Sequence, residues 1–213
     1  MEIIWYGHAC FRLKGRQGTV VTDPYDKSVG LTLPSLKADI VTISHASSHH
    51  SYVAAIKSDF KVIDRPGEYE INDIFVTAIN MQAGSKESKD NASANNIFVI
   101  DLEDIKICHL GDLNHVPTQN QVEDMGNIDI LLVPVGGKQA LNAVQAAEVI
   151  SLIEPYLVIP MHYELPGLKV ELDPVSKFLK EMGLTKSETI DSLKIVQTGL
   201  PEETQIVLLD AKQ

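Results

Sequence analysis

Cysteine is nearly absent from this chain. Its 213 residues include two, Cys10 and Cys108, each embedded in an apolar run. That pattern favours small buried hydrophobes over a disulfide or a zinc knuckle, so neither cysteine is assigned any chemistry. Basic residues are also scarce: 18 Lys and Arg stand against 29 Asp and Glu, a formal net charge of −11. A sequence-independent grip on nucleic acid needs clustered cations, so no nucleic-acid partner is expected. A phosphate-bearing substrate remains open, because a bound metal can reverse the local field. No apolar run approaches the length that spans a bilayer, and Met1–Tyr6 lacks the basic start and apolar core of a signal peptide. The expectation is no membrane association and a cytoplasmic location. With 44% hydrophobic and 22% charged residues, the composition is that of an ordinary soluble protein. The length suits one domain over residues 1–213 with a substantial core.

Histidine, by contrast, is concentrated. Of seven histidines, His45, His49 and His50 fall within six residues, directly after the apolar run Ala38–Ile43. Asp39–Ile43 reads as a short buried strand of β-branched residues. Its carboxyl end would release the histidines onto a loop at a sheet edge, where α/β proteins tend to place their sites. Neutral imidazole is the commonest side-chain ligand of transition metals, and several on one loop can converge on one ion. The alternative is a set of solvated loop histidines.

Other strand ends repeat the theme. Thr19–Thr22 runs into Asp23-Pro24, Ile105–Leu110 into Gly111-Asp112, and Tyr156–Met161 into His162. Further strands are expected at Ile3–Tyr6, Cys10–Leu13, Lys61–Asp64, Ile74–Ile79, Asn96–Leu102, Ile128–Val135, Ser192–Val196 and Gln205–Leu209. Helices are expected at Tyr52–Ser58, Thr118–Met125 with Thr118 as a cap, Ala140–Ile153, and Pro174–Met182 closed by Gly183. Met81–Ala94, rich in Gly, Ser, Lys, Asp and Asn, reads as a loop that either covers a site or is simply solvated. Many strands with helices between strand groups point to two sheets with helices outside them.

Candidate ligands at the ends of three strands could all meet at one edge of such a sheet pair. Mixed nitrogen and carboxylate donors suit zinc, manganese or iron better than calcium or magnesium. An open coordination position on such an ion lowers the pKa of water towards neutrality.

From Trp5-Tyr6-Gly7-His8-Ala9-Cys10-Phe11 to about Leu179 the sequence resembles the metallo-β-lactamase superfamily, and most closely its small ascorbate-6-phosphate lactonase-like branch. Thr22-Asp23-Pro24-Tyr25, His109-Leu110-Gly111-Asp112 and Ile159-Pro160-Met161-His162-Tyr163 are similar to its aspartate, bridging-aspartate and last-histidine motifs. The resemblance implies a four-layer αββα sandwich. It departs at the central His-x-His-x-Asp-His motif, which here reads His45-Ala46-Ser47-Ser48-His49-His50. Ser47 replaces the second histidine and His49 the aspartate, and Asn80–Gly84 lacks the further histidine usual there. The first metal position would then keep only His45 and the shared Asp112. The second would use His49, His50, Asp112 and His162, enough for a single zinc. Asp112 and His49 are the candidate catalytic residues; Asp23, His8 and His115 are expected to brace the ligands or touch substrate. His109 reads as a satisfied core histidine.

Two functions follow. One is a weak hydrolase with one metal ion, zinc first and manganese or iron as alternatives, acting on a small ester, lactone or phosphodiester. The other is a catalytically inactive scaffold that binds a ligand or partner through the old cleft. Exposed sheet edges also leave room for a homo-oligomer.

Overall fold

The computed structural model describes residues 1–81, 95–185 and 188–213. Two mixed sheets face one another. The first is built from β1 (Glu2–Trp5), β2 (Phe11–Lys14), β3 (Thr19–Thr22), β4 (Ile40–Thr42) and β5 (Lys61–Ile63), with β13 (Leu193–Lys194) beside β1. The second contains β6 (Gly67–Ile71), β7 (Ile74–Met81), β8 (Asn95–Leu102), β9 (Ile105–His109), β10 (Ile130–Pro134), β11 (Leu157–Met161) and β14 (Gln205–Ile206). Neighbours β9, β10, β11 and β14 run parallel, as do β3, β4 and β5. A small parallel pair joins β12 (Thr189–Ile190) to β15 (Leu208–Leu209).

Strand periodicity explains the layering. Side chains alternate between faces, so Ile3, Trp5, Phe11, Leu13, Val20 and Ile40 enter the core between the sheets. Their neighbours Ile4, Val21 and Val41 enter a second cluster on the outer face of the first sheet, with Tyr25, Val29, Leu31 and Ile56. That outer cluster is covered by irregular chain carrying two 3₁₀ turns, Lys27–Val29 and Val53–Ala55. Strands β10 and β11 are buried throughout because both their faces are covered. Helix α2 (Ala143–Ile153) lies on β10 and packs against α3 (Val175–Glu181), whose Phe178 is fully buried.

The α/β sandwich expected from the sequence is present. Helix α1 (Gln119–Met125) begins at Thr118, which forms a capping box with Gln121; Asn142 and Gln145 do the same for α2. Cys10 and Cys108 are free and buried.

Several local expectations are corrected. Tyr52–Ser58 holds only a 3₁₀ turn, because Ile56 bridges to Leu36 instead of continuing a helix. Helix α2 starts three residues later than the alanine-rich run. Gln205–Leu209 divides into two strands in different sheets. Strand β6 was not anticipated. The loop expected at Met81–Ala94, and with it the segment lacking a histidine, lies outside the described residues from position 82 to 94.

Candidate metal centre

The site sits where strand ends of both sheets meet. The β1–β2 turn supplies His8, and the end of β3 supplies Asp23. The chain after β4 supplies Ser44, His45, His49 and His50, while Asp112 follows β9 and His162 follows β11. Backbone bonds lock the two sheets together here: Asn96 N–H donates to Ser44 O at 2.9 Å, and His162 N–H to His8 O at 3.0 Å. Of the residues just named, three adopt left-handed backbone, His8 at φ 51°, Asp23 at 37° and His162 at 52°. Each such conformation costs on the order of 1–3 kcal/mol and persists only where the surroundings over-determine it. Gly111 is required by contact, since a Cβ there would lie 2.5 Å from both Ser44 Cβ and Asn95 Oδ1.

Asp112 is the centre of the arrangement. His50 Nε2 stands 3.1 Å from its Oδ2, His162 Nε2 3.3 Å from its Oδ1, and His45 Nε2 3.9 Å from its Oδ2. Yet His50 Nε2 and Asp112 Oδ1 are buried with no hydrogen-bond partner. Ligand-type atoms this close and without a satisfied partner are what a shared cation would serve. Two overlapping groups, His45/His50/Asp112 and His8/His50/His162, each bring ligand-type atoms within 4.8 Å of one another. Leaving such groups unsatisfied costs about 1–3 kcal/mol each, and a divalent ion with nitrogen and oxygen preference would satisfy them. The donor set therefore fits a metal.

Asp23 fixes His50 from behind. It is fully buried, accepts from Ser44 N–H at 2.7 Å and Ser44 Oγ at 2.6 Å, and lies 2.9 Å from His50 Nδ1. A proton held on Nδ1 by Asp23 is what would leave the Nε2 lone pair to an ion beside Asp112. Asn95, which the sequence reading missed, does the same for the Asp112 backbone: its Oδ1 accepts from Asp112 N–H at 2.9 Å and its Nδ2 donates to Leu110 O. The available signal was a polar Asn95-Asn96 pair opening an otherwise apolar strand.

The electrostatics describe the ion-free state, in which His50 carries a proton on both ring nitrogens and a metal would displace the one on Nε2. Burial alone would lower His50, but Asp112 and Asp23 outweigh it and push its pKa up to about 10. Burial works against ionised Asp112 and Asp23; the histidines around Asp112, and His50 and Ser44 at Asp23, overcome it and hold both carboxyls below their usual range. Burial depresses His8, His45 and His162, which favours the neutral, ligating form.

The remaining residues separate clearly. His49 lines the same cavity of about 370 Å³, its ring 6.0 Å from that of His8, but belongs to neither ligand group. His115 does not line the cavity; its Nδ1 lies 3.1 Å from Asn114 Oδ1. His109 is fully buried with both nitrogens engaged, Nε2 to Ala9 O at 2.9 Å and Nδ1 accepting from Gly111 N–H at 3.3 Å. Lys138, Gln139 and Glu171 also line the cavity; Lys138 follows the Gly136-Gly137 pair beyond β10, a signal the sequence reading left unused.

A family model described as a beta-lactamase superfamily domain matches residues 2–162. A UPF0173 metal-dependent hydrolase from Thermoplasma acidophilum is 30% identical over 199 residues, 82% of this chain and 88% of that one. A crystal structure from Thermotoga maritima, described as a Zn-dependent hydrolase of the metallo-β-lactamase superfamily, shares 39% identity and a TM-score of 0.80, covering 98% of this chain and 97% of that chain. A metallo hydrolase from Ignicoccus hospitalis shares the fold, with a TM-score of 0.66 at 18% identity over 91% of this chain and 98% of its own. The model match over most of the chain, carried through the strand end that bears His162, makes this chain a member of the β-lactamase superfamily.

Proposed function

We propose that the protein is a metal-dependent hydrolase with one ion, zinc by donor preference and manganese or iron as alternatives, acting on a small ester, lactone or phosphodiester. The observation that carries this reading is the convergence of His50, His162 and His45 on Asp112 with buried, unpartnered ligand atoms. His50, His162 and Asp112 would hold the ion. A divalent ion there supplies Lewis acidity towards a carbonyl or phosphoryl oxygen and acidifies water near neutral pH.

The chain's own residues supply the rest. Asp23 orients His50, and Asn95 orients Asp112. His49, half-buried on the cavity wall, is the candidate to exchange a proton with substrate. The cavity of about 370 Å³ lies at the small end of ligand sites, which supports a small-molecule substrate. Ser47 and His49, in place of the motif's histidine and aspartate, support a single ion and a slow reaction, since losing a general base costs about 10²–10⁴-fold in rate.

Metal content of tag-free wild type and His162→Ala tests this reading, followed by hydrolysis assays on ester, lactone and phosphodiester panels. One equivalent in wild type, lost in the variant, with turnover of one panel, is the expected result. The same two substitutions favour an inactive scaffold as the second reading. Full cellular function in an Asp112→Ala, His162→Ala double variant would select it.

A further inference from the structure

His8 and His109 are both buried imidazoles in the same region, yet they differ in one respect. His109 has both ring nitrogens engaged, whereas neither His8 nitrogen has a hydrogen-bond partner. A neutral imidazole carries one N–H and one lone pair. Leaving them unmet in a site only 1% exposed costs about 1–3 kcal/mol for each group. His8 also holds left-handed backbone at φ 51°. The turn is nevertheless firmly fixed: His8 O accepts from His162 N–H at 3.0 Å and from Trp5 Nε1 at 3.1 Å.

What this firm turn presents is a ring facing two candidate ligands. The His8 ring centroid lies 4.6 Å from that of His50 and 4.4 Å from that of His162. One nitrogen of each of the three lies within 4.8 Å of the others, and His8 lines the cavity that Asp112 lines. His49, at the motif's aspartate position, is outside this group.

We propose that His8 is a direct ligand of the ion, completing a set with His50, His162 and Asp112 in the place that His49 does not reach. The inference rests on the metal-centre reading above. It makes the early Gly-His turn part of the coordination sphere, so that the first sheet contributes ligands from two separate segments.

Cobalt(II) is the probe, added to the full chain, with affinity from chelator competition and coordination from the visible spectrum. His8→Gly is the variant, because φ 51° lies in glycine's own range and the backbone is unstrained. The expected result is a folded variant with cobalt affinity lowered by about 100-fold or more, at or beyond the 10–100-fold that outer-shell changes cost. Its spectrum is altered, and free imidazole restores both. Wild-type affinity and spectrum in the variant would overturn the proposal. So would a weakened variant whose spectrum imidazole leaves unchanged, since that marks a structural role. Failure of wild type to bind cobalt would overturn the metal-centre reading itself, and this proposal with it. Should His8→Gly not fold, X-ray absorption of a cobalt-loaded His45→Ala, His49→Ala double variant decides: three imidazoles support the assignment and two overturn it.

Discussion

Replacing Asp23 with asparagine should invert the tautomer of His50 without changing the shape of the site. The carboxylate accepts from Ser44 N–H, Ser44 Oγ and His50 Nδ1. An asparagine can keep its oxygen on the Ser44 amide, which turns its NH₂ towards Ser44 Oγ and His50 Nδ1. The serine hydroxyl can rotate to accept, but His50 must then surrender its Nδ1 proton and carry it on Nε2. That is the atom 3.1 Å from Asp112, so the lone pair meant for the metal is lost. Holding the ligating tautomer against this preference costs at least one hydrogen bond to a charged group, about 1.5–3 kcal/mol. At 1.4 kcal/mol per factor of ten, metal affinity should fall by about 10–150-fold. Loss of the buried bonds should also lower unfolding free energy by about 1–3 kcal/mol. Zinc competition titration and urea unfolding measure the two effects. Affinity within twofold of wild type would refute the claim that Asp23 sets the His50 tautomer.

Three further outcomes follow from the same geometry. Chelation of metal-loaded protein should lower the thermal midpoint by about 5–10 °C, from about 2.7 kcal/mol of binding stabilisation at a hundredfold excess over Kd; an unchanged midpoint in calorimetry would exclude a metal bound to the folded state. In metal-free protein, the raised His50 pKa stabilises below its unfolded value of about 6.5, and that stabilisation is lost as pH rises to about 10. The depressed pKa values of His8, His45 and His162 act the other way, so that stability falls as pH drops through about 6.5. Urea midpoints should peak between these limits, and His50→Gln should remove the alkaline decline; an identical decline in the variant would contradict the assignment. Finally, Gly111→Ala should cost at least about 2 kcal/mol from its left-handed φ of 56° and the 2.5 Å approach to Asn95 and Ser44. Its metal content should drop in parallel, and a stable variant with full metal loading would show that this turn tolerates displacement.

The strands that carry the ligands were legible because burial writes itself into their composition. Ile40–Thr42, Ile105–His109 and Leu157–Met161 are short, largely buried, and lead into polar residues within a few positions of the strand end. Strand β6 left no such trace: its sequence Gly-Glu-Tyr-Glu-Ile is largely exposed on an edge, and it forms because the Asn72-Asp73 turn, with both φ values positive, folds it back on β7. The Tyr52–Ser58 segment misled for the converse reason, since a tertiary bridge from Ile56 to Leu36 overrides local helical tendency. Within the site, motif spacing brought out Asp112, His50 and His162. It could not show that His49 faces the cavity outside the ligand groups while His8, from a distant turn, faces inward.

That long-range assembly has an energetic consequence. The candidate ligands span positions 8 to 162 and come from both sheets, so no local segment can present them before the sheets dock. The bonds that dock the sheets are the bonds that place the ligands: Asn96 N–H to Ser44 O, His162 N–H to His8 O, and His109 Nε2 to Ala9 O. Weakening any of them loosens the ligand geometry and the interface between the sheets together. Metal affinity and folding stability would therefore be one linked quantity here. A residue's effect on metal binding should follow its place between the sheets more closely than its distance in sequence from His45–His50.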